Sequence, residues 1–293
     1  MSDPLRDAVL AGRALTGVRV VDAHAHLGSY GRFFIPTPDA ATMVRLMDRC
    51  GVAQAVLSSC LAFAQDAGVG NEETARAVET HPARLLGYVV ANPHQGLDRE
   101  ICRWADHPGM VGVKLHPDVH KYPLTGPAYD TVWEFAARAA RPVLTHTWAG
   151  SPYSDLAQVH EVARAHPEVR LVAGHAGALR TAFRQMIDVA RQCPNLYLEI
   201  CGSEMTGPWI AAMVEALGSH RVLYGSDFPF IDLRYSLGRV VFANLALTDR
   251  HTVLGGAMAT LLATATTPDG RVTDEAYAPA MCGQSESSNP FRR

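Results

Sequence analysis

Val18-Arg19-Val20-Val21-Asp22-Ala23-His24-Ala25-His26 decides how the rest of the chain is read. Its apolar, β-branched start is that of a buried β-strand. Side chains two apart on a strand point to the same side. His24 and His26 therefore leave the strand end together, their imidazoles facing one point, and such a pair can chelate a metal ion.

Working outward, seven more runs of this kind follow at intervals of about 25 to 35 residues, which suits βα units. They are Gln54–Cys60, Leu85–Asn92, Met110–His116, Pro142–Thr147, Arg170–His175, Leu196–Cys201 and Arg221–Asp227. Segments of helical period lie between them, among them Ala40–Arg49, Glu72–Glu79, Tyr129–Ala140, Leu156–Ala165, Thr181–Arg191 and Trp209–Leu217. Strands alternating with helices predict a parallel sheet, and eight units predict a single-domain α/β fold, the (β/α)8 TIM barrel. Residues 18–265 form this barrel in our reading, and residues 1–17 form a short helix or arm over its base. Residues 266–293, rich in Thr, Ser, Gly, Pro and Asn, are expected to be a poorly ordered tail.

Composition narrows the function. The 293 residues are 48% hydrophobic, enough for a large core, and carry a formal net charge of −3 with no basic stretch. Nucleic acid and anionic membranes are therefore not the expected partners. No apolar run approaches the roughly 20 residues that span a bilayer. Met1–Arg13 contains Asp3 and Asp7 and lacks the apolar core of a signal peptide, so the default expectation is cytoplasmic. None of the six cysteines forms a C-x-x-C pair, which predicts reduced thiols, mostly in the core. Cys201 stands apart because it ends a predicted strand.

The histidines fall into two sets. His81, His107 and His166 each precede a proline just before a strand, as Cys193 does; proline stops the helix there, and a histidine suits the helix C-terminus. His24, His26, His116, His146 and His175 instead sit at C-terminal strand ends, as does Asp227 in Gly225-Ser226-Asp227-Phe228-Pro229. Those ends converge on the active-site face of such a barrel. One histidine there is readily a structural hydrogen-bonder; five with a carboxylate point to a metal site.

These residues resemble the metal-dependent amidohydrolase superfamily, in its amidohydrolase-related branch. The likeness runs from about Val18 to Leu262. It is carried by Val21-Asp22-Ala23-His24-Ala25-His26-Leu27-Gly28, Gly112-Val113-Lys114-Leu115-His116-Pro117, Thr145-His146-Thr147, Gly174-His175-Ala176-Gly177 and the Asp227 segment. The resemblance implies that His24, His26, His146 and Asp227 are metal ligands and that His175 is a second-metal ligand or polarises the substrate. Three imidazoles and a carboxylate suit Zn²⁺ or a similar divalent ion with a position left for water, whose pKa the ion lowers. Asp227 would shuttle the water's proton, and His175 would stabilise charge on the attacked oxygen. The chain departs from the family at Leu254-Gly255-Gly256-Ala257, where an Asn commonly follows the glycines.

Lys114 and His116 bear on the metal count. They share a face of the fourth strand, and in binuclear relatives a lysine there is carboxylated and bridges two ions. The His-Pro at this strand end departs from that pattern, so one ion is favoured and two remain open, with His116 then contacting substrate. Tyr30, Arg32, Phe33, Phe34, Trp148, Tyr153, Glu204, Trp209, Phe228, Phe230, Arg234 and Tyr235 occupy the loops that would line the pocket. The aromatic ones suit a small, ring-bearing substrate or simply pack the loops. Arg32 or Arg234 would bind a carboxylate or remain solvated, and Trp148 is a further substrate contact.

The leading expectation is hydrolysis of an amide, lactone or ester bond in a small molecule. The alternative is non-oxidative decarboxylation of an aromatic or related acid. Decarboxylases of this branch often carry an extended insertion after the first strand, and only about twelve residues separate His26 from the helix at Asp39 here. A third reading is a barrel that binds a ligand without catalysis. It would be expected to have lost a ligand position, and none of the five histidine and aspartate positions is lost. Association into a homo-oligomer stays open, because no interface stripe is evident.

Overall fold

The computed structural model describes residues 3–36 and 39–265. Eight parallel strands pair in the order β1 to β8: Val20–Leu27, Val52–Ser59, Leu85–Val90, Met110–Leu115, Val143–His146, Leu171–Gly174, Leu196–Glu199 and Val222–Leu223. Each strand leads into helix before the next, and the whole is a single-domain TIM barrel. The helices, α1 to α13, span Pro4–Leu10, Ala40–Cys50, Cys60–Ala64, Ala67–Thr80, Leu97–Trp104, Pro117–His120, Asp130–Ala139, Leu156–Ala165, Phe183–Gln192, Gly207–Leu217, Leu233–Val241, Leu247–His251 and Ala257–Ala265. None of the described helices is long and apolar enough to cross a membrane. The tail expected from Thr266, including Cys282, lies outside the described residues.

Local chemistry explains most element ends. Asp39, Asp66 and Asp155 cap α2, α4 and α8 by accepting backbone N–H groups. His81, His166 and Cys193 are the C-terminal caps of α4, α8 and α9, each followed by the proline that stops the helix. The fourth helix begins at Ala67, five residues before the expected Glu72; Asp66 supplies an N-cap that offsets the low helix propensity of Gly68 and Gly70.

Two layers fill the barrel. The lower one is apolar: Val21, Ala23, Val56, Tyr88, Val111, Leu144, Val172 and Leu223, one or two from each of seven strands, pack on Ala257, Met258, Leu261 and Leu262 of α13. The last helix thus seals the floor. Above this layer β1 changes face. Its ladder with β2 slips between Asp22 and Ala25, and a one-residue slip exchanges the two sides of a strand. Val21 and Ala23 face inward below the slip, whereas Ala25 and Leu27 join the outer core above it. The slip frees the inner side for His24 and His26.

The strand expected over Arg221–Asp227 is paired only at Val222–Leu223. Beyond it the chain leaves β7 and turns onto β1, where Ala23, His26 and Asp227 N–H groups bond to Tyr224, Phe228 and His24 carbonyls at 2.9, 2.6 and 2.8 Å. Asp22 stitches the same seam, accepting the backbone N–H of His24 and of Ser226 and the Ser226 hydroxyl.

The N-terminal segment is pinned to the barrel wall. Asp3 caps α1 and takes a 2.6 Å ion pair from the buried Arg250. The Arg250 hydrogen bond holds the Asp3 carboxyl below its ordinary value, outweighing burial. A depressed carboxylate stabilises the fold above its unfolded pKa, and that contribution is lost as pH falls through the folded one. Asp3→Asn keeps a competent cap while removing the charge, so it is expected to cost about 1–3 kcal/mol at neutral pH. In urea titrations the difference from wild type should vanish in acid; an equal deficit at low pH would refute the ion-pair account.

Candidate active site

The strand-end histidines meet inside the barrel mouth. Ring centroids lie 5.0 Å apart for His24 and His26, 5.2 Å for His24 and His175, and 4.6 Å for His146 and His175. Asp227 completes the group, with Oδ1 3.3 Å from His26 Nε2 and 3.9 Å from His24 Nε2. Its φ of +60° turns the carboxylate in from the short eighth strand, a backbone state that Asp tolerates better than most residues. Lys114 enters from β4, and its Nζ lies 2.8 Å from His24 Nε2. His116, just past the end of β4, stacks on His146 at 4.2 Å and has a buried Nδ1 without a hydrogen-bond partner.

A carboxylate that the sequence reading passed over orders this cluster. Glu199, the last residue of β7, is fully buried, and its Oε2 lies 2.8 Å from His24 Nδ1. It also accepts the backbone N–H of Cys201 at 2.6 Å and of His175 at 3.2 Å. Burial pushes its pKa up to about 7. Burial likewise holds His24 well below its ordinary value, so the ring is neutral and carries one N–H. Donating Nδ1–H to Glu199 leaves the Nε2 lone pair facing the interior, where Lys114 donates to it. Gly225 makes room for this carboxylate, since a Cβ there would run into Glu199 and His24. An acid inside the apolar run Leu196–Cys201 was the available signal; its partner, 175 positions earlier, was not visible.

The remaining charges follow from burial. It lowers His26 and His146, and brings His175 down to about 4 and Lys114 down to about 8. Burial by itself would raise Asp227, but His175, the His26 hydrogen bond and Lys114 more than offset it, and its pKa is lowered. The site is thus an ionised carboxylate among neutral imidazoles, with a lysine alongside. Part of this set fits a divalent cation together with a thiol: one atom from each of His24, His175, Cys201 and Asp227 lies within 4.8 Å of the others, a group that does not include His26 or His146.

Aromatic rings form an unbroken series beside the histidines. Trp148 lies parallel to His146, which stacks on His116, which meets Phe63 at 5.1 Å. Phe63 packs on Tyr30 and His26, and Phe230 stacks on Phe33 at 4.5 Å. Phe63, on the short helix α3, was not anticipated. Of the two arginines expected as contacts, Arg234 lies elsewhere. Arg32 is exposed on the first loop. Arg234 holds Asp232 through two hydrogen bonds and lines a separate cleft of about 120 Å³ with Val9, Arg13, Leu15 and Cys50. Trp209 packs edge-on against Phe183.

Comparison with known proteins agrees with this architecture. A 5-carboxyvanillate decarboxylase from Sphingomonas paucimobilis is 14% identical with a TM-score of 0.69, over 84% of this chain and 99% of that one. An uncharacterised TIM-barrel protein from Bordetella bronchiseptica is 19% identical with a TM-score of 0.69, over 85% and 100%. A dihydroxybenzoic acid decarboxylase from Polaromonas, with bound manganese, is 17% identical with a TM-score of 0.67, over 87% and 99%. At these identities the likeness concerns the fold alone. No curated protein matches the sequence. The amidohydrolase family model matches residues 21–262, from the first strand to the helix that seals the floor, and the chain belongs to that family.

Proposed function

We propose that the protein is a metal-dependent hydrolase that opens an amide, ester or lactone bond of a small, ring-bearing molecule. The observation carrying this reading is the Asp227 carboxylate, ionised and held 3.3 Å from His26 Nε2 among neutral imidazoles. His24, His26, His146 and Asp227 are the ligands in this reading, with His175 beside them. A divalent ion held there, for which Zn²⁺ suits the donors, supplies Lewis-acid polarisation and lowers the pKa of water toward neutrality. Asp227 takes the proton of the attacking water and passes it to the leaving group. His175, a neutral ring, donates a hydrogen bond to the oxygen on which charge builds. Glu199 fixes the ring of His24. Lys114 places an ammonium at His24 Nε2, which favours one ion unless the amine is carboxylated. The aromatic series suits a planar substrate and keeps bulk water from the reacting carbon.

Non-oxidative decarboxylation of an aromatic acid is the second reading. It is favoured by the aromatic rings beside the histidines and by the decarboxylase names of several structural neighbours. Here Asp227 or His175 would deliver a proton to the ring carbon that loses CO₂.

Isotopes separate the two. The metal-loaded protein is incubated with a panel of aryl amides, esters, lactones and hydroxybenzoates, in H₂¹⁸O and in D₂O. Hydrolysis puts ¹⁸O into the product acid. Decarboxylation releases CO₂ and puts deuterium on the ring, which would replace the first reading by the second. Inactivity across the whole panel counts against both.

A further inference from the structure

Cys201 has surroundings unlike those of a core thiol. It lies two residues past Glu199 at the end of β7 and is 1% exposed. A structural thiol packs among carbon atoms. Cys201 Sγ instead lies 2.9 Å from Glu199 Oε2, 3.1 Å from His175 Nδ1 and 3.2 Å from His24 Nδ1. Four ligand atoms, one each from His24, His175, Cys201 and Asp227, lie within 4.8 Å of one another. The four atoms are thus close enough for one ion to reach them all with bonds of about 2.0–2.3 Å after shifts of about 1 Å.

We propose that the sulfur of Cys201 is itself a ligand of the metal centre, with His24, His175 and Asp227; in this arrangement His175 binds the ion instead of the substrate oxygen, and His26 and His146 stand beside the ion rather than on it. This rests on the metal-dependent reading above and adds a soft donor to it. On coordination the S–H bond is exchanged for a bond from sulfur to the ion, and the proton leaves to solvent. The proton given up is the one that Cys201 donates to Glu199 before the ion binds. A thiolate favours Zn²⁺ over Mn²⁺, whereas imidazole and carboxylate alone serve both ions. The centre is therefore expected to be selective for zinc, and the selectivity comes from this one residue.

X-ray absorption at the zinc edge tests this without a substrate. The full-length protein, stripped with chelator and reloaded with one equivalent of Zn²⁺, is expected to show a sulfur scatterer at about 2.3 Å beside nitrogen and oxygen at about 2.0–2.1 Å. Cys201→Ser should lose the sulfur shell and retain less zinc in competition with manganese. A wild-type shell of nitrogen and oxygen only overturns the proposal and leaves the hydrolytic centre standing. A sulfur shell that persists in Cys201→Ser assigns the ligand elsewhere and also overturns it. A wild-type protein that retains no zinc refutes both this proposal and the metal-dependent reading. The wild-type spectrum decides between ligand and bystander even if the variant fails to fold.

Discussion

Asp227→Asn is expected to lower kcat by about two to four orders of magnitude, the range for removing a general base, while the protein stays folded and keeps much of its metal. The substitution is conservative in every respect but one. Asp227 sits at a φ of +60°, which Asn also tolerates, whereas Ala would add strain. Its backbone bonds persist: its N–H to the His24 carbonyl at 2.8 Å, and its carbonyl from Phe230 N–H at 2.9 Å. An amide oxygen can still face the ion, but an amide cannot accept the water's proton at neutral pH. Turnover and metal content should therefore separate, which steady-state rates and elemental mass spectrometry on the same sample will show. A variant with near-normal kcat would remove Asp227 from proton transfer.

Glu199→Gln is expected to weaken metal binding by about 10- to 100-fold, the usual cost of losing the partner of a ligating histidine. The ionised carboxylate acts through acceptance. It takes His24 Nδ1–H and two backbone N–H groups, and so sets the tautomer that points Nε2 at the centre. Gln has one acceptor oxygen and a donor amide where those N–H groups converge. The ring of His24 loses its anchor, and a competition titration against a chromophoric chelator should register it. His146, whose ring has no carboxylate behind it among the described contacts, provides the comparison: Glu199→Gln should raise the dissociation constant without moving the His146–His116 stack. Unchanged affinity would make Glu199 a packing group.

The site was partly legible because its chemistry is written at strand ends. A histidine that closes an apolar run is visible within ten residues of sequence, and five of them locate one face of a barrel. What stayed hidden depends on contacts between distant segments. Glu199 was read as part of a strand and Cys201 only as the thiol that ends it, and folding alone brings them to His24. The inward turn of β1 needs a ladder slip opposite β2, which no alternation of apolar residues announces. Arg234 shows the reverse limit. Loop position made it a candidate, but a loop residue's direction is set by its neighbours, and Asp232 engages Arg234 before any substrate does.

The plugged floor has a kinetic consequence. With α13 packed into the lower layer, the lower end of the barrel is closed, so a small molecule bound among the histidines would enter and leave by the upper end. Under the proposed function, product would have to clear that end before another molecule enters. A ring-bearing product that lingers there occupies the very space the next substrate needs, so its inhibition should be competitive. Progress curves would then slow earlier than substrate depletion alone requires.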